Sequence, residues 1–252
     1  MSRPLALITG GWRRIGASVA RRLAGAGWDL VLHAHHSAAR DAKLEAELAG
    51  AGAAAHFLEG ELGDPGIAAS LVAEAGSLAG RPPELLVNSA SLFGDDTIDT
   101  ISAEIFDRHM AVNLRAPLLL TRAFAEALGS GEGSVVHILD QRVLNPVPDQ
   151  LSYTLSKQAL HASVRTLARA LAPRVRVNGV APGLTLSTED YGEGQWQRLA
   201  GIMPLKRLSA PEDIADAVLY LATARSVTGQ TIFVDAGANL EAYPRDFVYL
   251  ES

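Results

Sequence analysis

Short apolar segments rich in β-forming residues alternate with longer helical segments along the chain, and this alternation most constrains the fold. The first strand, "LALIT", is followed by the helical "IGASVARRLAGAG" and then by a second strand, "DLVLH". The same order repeats as far as "QTIFVD". Because helical crossovers make consecutive strands parallel, the sequence predicts an α/β fold with one doubly wound Rossmann-type sheet and helices on both faces.

Composition is that of an ordinary globular protein. The 252 residues are 48% hydrophobic, and no linker-like stretch divides them, so we expect a single domain over 1–252. The chain has no cysteine and a net charge of −6, which excludes disulfides and argues against a nucleic-acid partner. No apolar run reaches the roughly 18 residues of a membrane span, and the first strand begins too early to leave room for a signal peptide, so we expect a cytoplasmic protein without a membrane partner.

A glycine-rich turn follows the first strand and is suited to an anion. Gly10 and Gly11 leave backbone N–H groups open beside a helix N-terminus. Arg13 and Arg14 add two cations in the same turn. They could form a solvated pair, but no carboxylate follows the second strand to repel a 2′-phosphate.

After the second strand comes "HAHHS", with His33, His36 and Ser37 near the expected phosphate. These residues and the two arginines predict NADPH as cofactor. The cluster His33, His35 and His36 could suggest a metal, but it lacks a cysteine or a well-spaced carboxylate, so we expect no metal site.

The segment "YTLSK" places Tyr153 and Lys157 four residues apart on one face of a predicted helix. An ammonium group there is expected to lower the pKa of the phenol and prepare it to deliver a proton. The alternative is an amphipathic helix with an incidental tyrosine. The chain contains only three lysines, which argues against chance placement.

Six motifs occur in the order and at about the spacings of the short-chain dehydrogenase/reductase family, which the chain resembles over nearly its full length. They are "TGGWRRIG", "LLVNSAS", "VNLRAP", "YTLSK", "RVNGVAPG" and "GQTIFVDAG". The resemblance implies a seven-stranded sheet, a nicotinamide cofactor and a homotetramer. It also implies that Tyr153 donates a proton, that Lys157 holds the nicotinamide ribose and tunes Tyr153, and that Asn113 supports a proton relay.

The resemblance also implies which positions contact the cofactor. They are Gly10, Arg13, Arg14, Ile15, His33, His36, Ser37, Glu61, Leu62, Asn88, Ser89, Ala90, Tyr153, Lys157, Pro182, Gly183 and Thr185.

Two departures from the family pattern resemble its pteridine reductase branch. Asp140 stands thirteen residues before Tyr153, where the family usually has a serine, and Arg14 replaces a glycine. This likeness implies that Phe93 sandwiches a pterin against the nicotinamide with Ser91 beside it, and that Asp140 joins Tyr153 in the proton route. Without the resemblance, Phe93 could be a core aromatic and Asp140 a turn cap.

Two further segments are expected near the site. Residues 184–207 are polar and glycine-bearing after a strand end, which suits a lid over substrate, with Tyr191 and Trp196 either closing it or packing it. The tail "YPRDFVYLES" is too apolar for a free terminus and is expected to dock on a neighbouring subunit.

The sequence therefore predicts an NADPH-dependent reductase of a small-molecule substrate, a pterin. One alternative is a carbonyl reductase of 3-oxoacyl or other keto substrates, which shares Tyr153 and Lys157 but ordinarily has the serine that Asp140 displaces. The other alternative is a non-catalytic NADPH-sensing protein, against which the intact Tyr153 and Lys157 pair argues.

Overall fold

The sheet of the computed structural model is parallel and seven-stranded, with the strand order β3-β2-β1-β4-β5-β6-β7. The structure describes residues 3–36, 40–187, 189 and 191–250. The strands are β1 (Leu5–Thr9), β2 (Asp29–Ala34), β3 (Ala55–Glu59), β4 (Leu85–Asn88), β5 (Gly133–Ile138), β6 (Val175–Pro182) and β7 (Thr231–Val234). This order confirms the predicted doubly wound fold, with its switch point between β1 and β4.

Helices cover both faces of the sheet. They are α1 (Arg14–Gly25), α2 (Ala42–Gly50), α3 (Ile67–Ala79), α4 (Ala103–Met110), α5 (Ala116–Ala127), α6 (Leu151–Leu171), α7 (Gln195–Ile202) and α8 (Pro211–Thr223). Apolar residues of α1, α2 and α8 pack on one face, and those of α3, α5 and α6 on the other. Because both faces are covered, all five residues of β1 are buried, which explains why this strand is continuously apolar.

The helical segment across 103–127 is interrupted. A π-helical turn, Ala111–Arg115, separates α4 from α5 and contains Asn113. Single π-turns inside helices occur frequently at functional sites. Hydrophobic periodicity does not reveal such a turn, because five residues are too few to give a periodic signal of their own.

The expected lid and the C-terminal tail pack together. The segment 184–207 contains α7, and Leu199 and Met203 form a buried cluster with Phe247 of the tail. The Gln195 side-chain amide donates to the backbone oxygens of Val248 (3.0 Å) and Leu250 (2.7 Å). These contacts hold the tail on its own chain, and its docking on a neighbouring subunit stays a prediction.

Two kinds of feature are absent from the described ranges. None of the helices there is long and apolar enough to cross a membrane. In the same ranges, no group of three or more histidine, cysteine, aspartate or glutamate side chains is placed to hold a metal ion.

Candidate active site

An open cleft of about 1260 Å³ lies at the carboxyl ends of the strands. One part runs past the ends of β1, β2 and β3, and the other reaches α6 and the C-terminal tail. The first part is lined by Gly10, Arg13, Arg14, Ile15, His33, His35, Glu61, Leu62, Ser89, Ala90, Pro182, Gly183 and Thr185. The second part is lined by Ser91, Phe93, Asp140, Arg142, Gln150, Tyr153, Lys157, Tyr191, Asp246 and Tyr249. The cleft thus brings together most of the residues that the sequence singled out.

The glycine-rich turn is shaped for close approach. Gly10 has a φ of +63°, and a Cβ at Gly16 would lie 2.1 Å from the Gly10 oxygen. The N-terminus of α1 has no side-chain cap. A tight turn that leads into an uncapped helix N-terminus is what the phosphates of a dinucleotide require, so this part of the cleft fits a nicotinamide cofactor.

Arg13 and Arg14 are both exposed at this end of the cleft. Arg14 has a φ of +53°, a left-handed conformation that costs a non-glycine residue about 1–2 kcal/mol. No hydrogen bond or ion pair joins its side chain to another residue of the described ranges. The arginine is therefore strained, and its guanidinium remains available to an anion.

The histidines after β2 divide into different environments. His33 is buried, its Nε2 lies 3.0 Å from the Gly60 oxygen, and burial lowers its pKa, so it is a neutral group rather than a cation for phosphate. Its buried Nδ1 has no partner within the described part of the chain and can accept a hydrogen bond in the cleft.

His36 does not line the cleft but stacks on His35 at 3.7 Å between ring centroids. His35 lines it and pairs with Glu61 (2.7 Å). Ser37 lies outside the described residues.

Of the predicted residues around the end of β4, some line the cleft and one does not. The backbone N–H groups of Ser89 (3.0 Å) and Ala90 (3.1 Å) donate to the Thr9 hydroxyl, which ties the ends of β1 and β4 together. Asn88 does not line the cleft, and its side-chain amide donates to Nδ1 of the buried His137 (3.1 Å). Asn88 is therefore buried behind the cleft wall, and its contact with the cofactor stays a prediction.

The start of α6 places Tyr153 in the first turn of that helix. The carboxylate of Asp96, in the loop after β4, accepts from the backbone N–H of Ser152 (3.1 Å) and fixes where the helix begins. The Tyr153 hydroxyl donates to Oδ2 of Asp140 (2.9 Å). Asp140 also caps the short turn Gln141–Val143, so both of its sequence interpretations, turn cap and partner of Tyr153, hold at once.

The pKa of Tyr153 is raised well above that of a free phenol, by burial and then by the charge of Asp140. The expected lowering by Lys157 is therefore wrong. The Lys157 ammonium donates to the Ile138 oxygen (2.8 Å) and lies 5.8 Å from the Tyr153 ring centroid. Burial lowers the pKa of Lys157 to about 8, against the opposing charge of Asp140. Tyr153 thus remains protonated near neutrality, as a proton donor must.

Asn113 connects the loop after β4 to α6. Its side-chain amide donates to the Leu92 oxygen (2.9 Å) and to the Ser156 hydroxyl (3.0 Å), and its oxygen accepts from the Leu92 N–H (2.7 Å). These contacts hold the backbone next to Phe93. A direct part in proton relay stays a prediction from the resemblance.

Phe93 is 55% exposed and forms an edge contact with Tyr153, at 4.8 Å between ring centroids. The alternative that Phe93 is a core aromatic is therefore wrong. Ser91 lines the cleft beside it, with its hydroxyl donating to Asn113 (3.2 Å). An exposed aromatic face next to the proton donor is a platform for a flat ring.

The two aromatic residues of the expected lid are placed differently. Tyr191 lines the cleft, whereas Trp196 does not. Trp196 packs edge-on against Tyr191, at 5.4 Å between centroids. Trp196 therefore supports the wall that Tyr191 forms.

Sequence reasoning missed Arg142, which is only 6% exposed. Its guanidinium donates to Asp140 Oδ1 (3.1 Å), to the side-chain oxygen of Gln150 (2.8 Å) and to Asp246 Oδ2 (2.6 Å). Burial alone would lower its pKa, but the two carboxylates outweigh it and raise the pKa. The only signal in the sequence was a cation two residues after Asp140, and nothing local shows that this cation is buried.

Comparison with known proteins agrees with this geometry. A family model described as enoyl-(acyl carrier protein) reductase matches residues 11–239. The crystal structure of FolM alternative dihydrofolate reductase 1 from Brucella canis, complexed with NADP, has 38% identity and a TM-score of 0.87, covering 97% of this chain and 98% of that one. The chain belongs to the short-chain dehydrogenase/reductase family.

Two curated relatives show the breadth of chemistry within this family. The (3R)-3-hydroxyacyl-CoA dehydrogenase of Canis lupus familiaris is 31% identical over 248 residues, which cover 92% of this chain and 95% of the relative. Pteridine reductase 1 of Leishmania tarentolae is 29% identical over 284 aligned positions, which cover 94% and 96%. The chain is thus an oxidoreductase of the short-chain dehydrogenase/reductase family, and the non-catalytic alternative is wrong.

Proposed function

We propose that this short-chain dehydrogenase/reductase reduces a pterin with NADPH. The observation that carries the proposal is the hydrogen bond between Tyr153 and Asp140, next to the exposed face of Phe93. Position 140, which usually holds a serine hydroxyl in this family, here holds a carboxylate. A carboxylate accepts hydrogen bonds from substrate donors, whereas a hydroxyl can also donate to substrate acceptors.

Both oxygens of Asp140 are acceptors in the structure. Oδ1 accepts from the backbone N–H (2.9 Å) and the guanidinium of Arg142, and Oδ2 accepts from Tyr153. A ketone oxygen is itself an acceptor and would be repelled there, whereas a serine hydroxyl would donate to it. A pterin carries N–H donors at its ring edge, which a carboxylate can accept. Asp140 therefore favours a pterin over a ketone.

The remaining residues supply stacking and a proton. Reduction of a C=N bond needs a hydride on carbon, which the nicotinamide cofactor supplies when bound, and a proton on nitrogen. Phe93 offers a face on which the flat ring lies, and the high pKa of Tyr153 keeps its proton available for transfer. Asp140 orients Tyr153 by accepting its hydrogen bond. After Tyr153 has given its proton to the substrate nitrogen, a proton taken from solvent and relayed through the Asp140 carboxyl restores the phenol.

NADPH is the cofactor. Its assignment is supported by the uncapped glycine turn, by the two exposed arginines, and by the likeness to the NADP complex from Brucella canis. Reduction of a keto substrate is the second candidate, since Tyr153 and Lys157 would serve it equally and a 3-hydroxyacyl-CoA dehydrogenase is a relative. The homotetramer, the cytoplasmic location and the single domain over 1–252 stay predictions.

The test is NADPH oxidation by the purified protein with dihydrobiopterin, dihydromonapterin, dihydrofolate and a panel of ketones that includes a 3-oxoacyl thioester. We expect turnover with one or more of the pterins. Asp140→Ser should lower pterin kcat/KM by roughly 10²–10⁴-fold, as expected for loss of a proton-transfer group, and should leave or increase activity on ketones.

Asp95→Ser is the matched control, because Asp95 also lines the cleft but bonds Gln150 rather than Tyr153. It should retain pterin turnover. Wild-type activity on ketones alone, or identical pterin kinetics in wild type and Asp140→Ser, would contradict the proposal.

A further inference from the structure

Arg142 is a buried cation that the chemistry proposed above leaves unexplained. Three of its N–H groups are directed at three different segments: Asp140 after β5, Gln150 before α6, and Asp246 on the tail. Its guanidinium carbon lies 5.4 Å from the centroid of the Tyr153 ring. A buried ion pair is costly to desolvate and contributes little stability on average, so its position beside two reacting side chains calls for a functional reason.

Asp246 is as firmly placed as Arg142. It is 5% exposed, and its second oxygen accepts from the Val248 N–H (3.0 Å). Its own N–H donates to Asp149 (2.8 Å), which Arg245 also binds through both oxygens (2.9 and 2.8 Å). The tail therefore presents one carboxylate to Arg142 in a fixed geometry, so that two carboxylates share one guanidinium.

We propose that Arg142 and Asp246 are positioning residues for proton delivery. The Asp246 carboxylate partly compensates the positive charge of Arg142. It therefore sets how strongly Arg142 attracts the Asp140 carboxylate, and through Asp140 how readily a proton is delivered at Tyr153. The tail thereby becomes part of the proton machinery without touching the reacting atoms. This inference rests on the proposed role of Asp140 in pterin reduction.

The charged groups around Tyr153 come from several elements. Asp140 and Arg142 face it from the turn after β5, Lys157 from α6 and Asp246 from the tail. Asp95, in the loop after β4, bonds Gln150, which in turn accepts from Arg142. Burial first, then Asp140 and Asp246, raise the pKa of Tyr153, and Arg142 opposes them. Removing Asp246 and removing Arg142 should therefore perturb the site in opposite directions.

The experiment compares pH profiles of pterin kcat/KM for the full-length wild type, Asp246→Asn, Arg142→Met and the double variant. Without Asp246, the whole charge of Arg142 acts on Asp140 and Tyr153. The acid and alkaline limbs of the pH profile should therefore both move to lower pH. Without Arg142, both limbs should move to higher pH, by about 1–3 units for loss of an adjacent opposite charge. The double variant removes one charge of each sign, so its limbs should return toward the wild-type values.

Arg245→Met is the control for tail docking in general, because Arg245 forms a tail ion pair with Asp149 but does not contact Asp140 or Arg142. It should leave both limbs in place. KM for NADPH should be unchanged in all variants, since these residues lie at the other end of the cleft. Thermal unfolding checks that each variant is folded, and if Arg142→Met does not fold, Asp246→Asn carries the test.

Shifts of the same sign in the two single variants, no shift in Asp246→Asn, or an equal shift in Arg245→Met would overturn the inference. A wild type that reduces no pterin would instead refute the proposed function, so the two failures are distinguishable.

Discussion

Arg14 combines a strained backbone with a proposed contact to the cofactor phosphate, so replacing it should improve stability while weakening NADPH binding. Its φ of +53° is readily adopted only by glycine, and its exposed side chain has no hydrogen bond or ion pair to the rest of the described chain. Arg14→Gly should therefore remove strain at little cost in contacts. Arg13, its neighbour, has a φ of −139° and provides an unstrained control.

The magnitudes follow from the two conformations. Relief of the left-handed conformation is worth about 1–2 kcal/mol, and the greater unfolded-state freedom of glycine costs about 0.4–1 kcal/mol. Arg13→Gly has the glycine cost without the relief, and it also removes the interaction that the Arg13 side chain makes. The two variants should thus differ in free energy of unfolding by at least about 1–2 kcal/mol, or roughly 2–8 °C in Tm for a chain of this size. Loss of one charge-assisted hydrogen bond to a cofactor phosphate should weaken NADPH binding by roughly 10- to 150-fold.

The assay has two parts. Thermal unfolding of wild type, Arg14→Gly and Arg13→Gly is measured without NADPH, because a bound ligand would itself raise Tm. NADPH affinity is then titrated by fluorescence on the same samples. A Tm for Arg14→Gly as low as that of Arg13→Gly would show that the left-handed residue stores no strain, and an unchanged NADPH affinity would remove Arg14 from the cofactor site.

Three further predictions concern the cofactor, the substrate platform and the sheet. Replacing both Arg13 and Arg14 by alanine should raise KM for NADPH more than for NADH, and steady-state kinetics showing equal effects would contradict a 2′-phosphate contact. Phe93→Ala should raise pterin KM with little change in Tm because Phe93 is half exposed, whereas Phe124→Ala in the core should cost about 3–5 kcal/mol in urea unfolding. Burial lowers the pKa of His137 to about 3, so below the unfolded value near 6.5 the unfolded state binds the extra proton and stability falls. His137→Gln should therefore flatten the loss of unfolding free energy between pH 6.5 and 5, worth about 2 kcal/mol, and an unchanged slope would refute this.

Much of the fold could be predicted because its determinants are local. The helical periods of "LSYTLSKQALHASVRTLARAL" and "PEDIADAVLYLAT" agree with α6 at Leu151–Leu171 and α8 at Pro211–Thr223. The π-turn at Ala111–Arg115 was missed because it changes the hydrogen bonding of only five residues, which are too few to give a periodic signal. The segment after β6 was expected as a lid, and its helix α7 is too short for a clear periodic signal.

The candidate site was predictable where motifs follow strand ends and not where distant segments meet. Gly10, Phe93, Asp140 and Tyr153 line one cleft because parallel strands end at the same edge. The raised pKa of Tyr153 depends on burial and on a carboxylate thirteen residues away, which the spacing to Lys157 cannot reveal. The contact of Arg142 with the tail spans 104 residues, and no local pattern encodes it.

That long span also orders events during synthesis. Asp246 is translated 104 residues after Arg142. At roughly 5–20 residues per second, the ribosome needs several seconds more before the chain contains both residues of this ion pair in the cleft wall. The glycine turn, β1, β2 and β4 have emerged by then and can adopt their strand order. A nascent chain can thus assemble the first part of the cleft well before the second, which is complete only after the tail has been translated and docked.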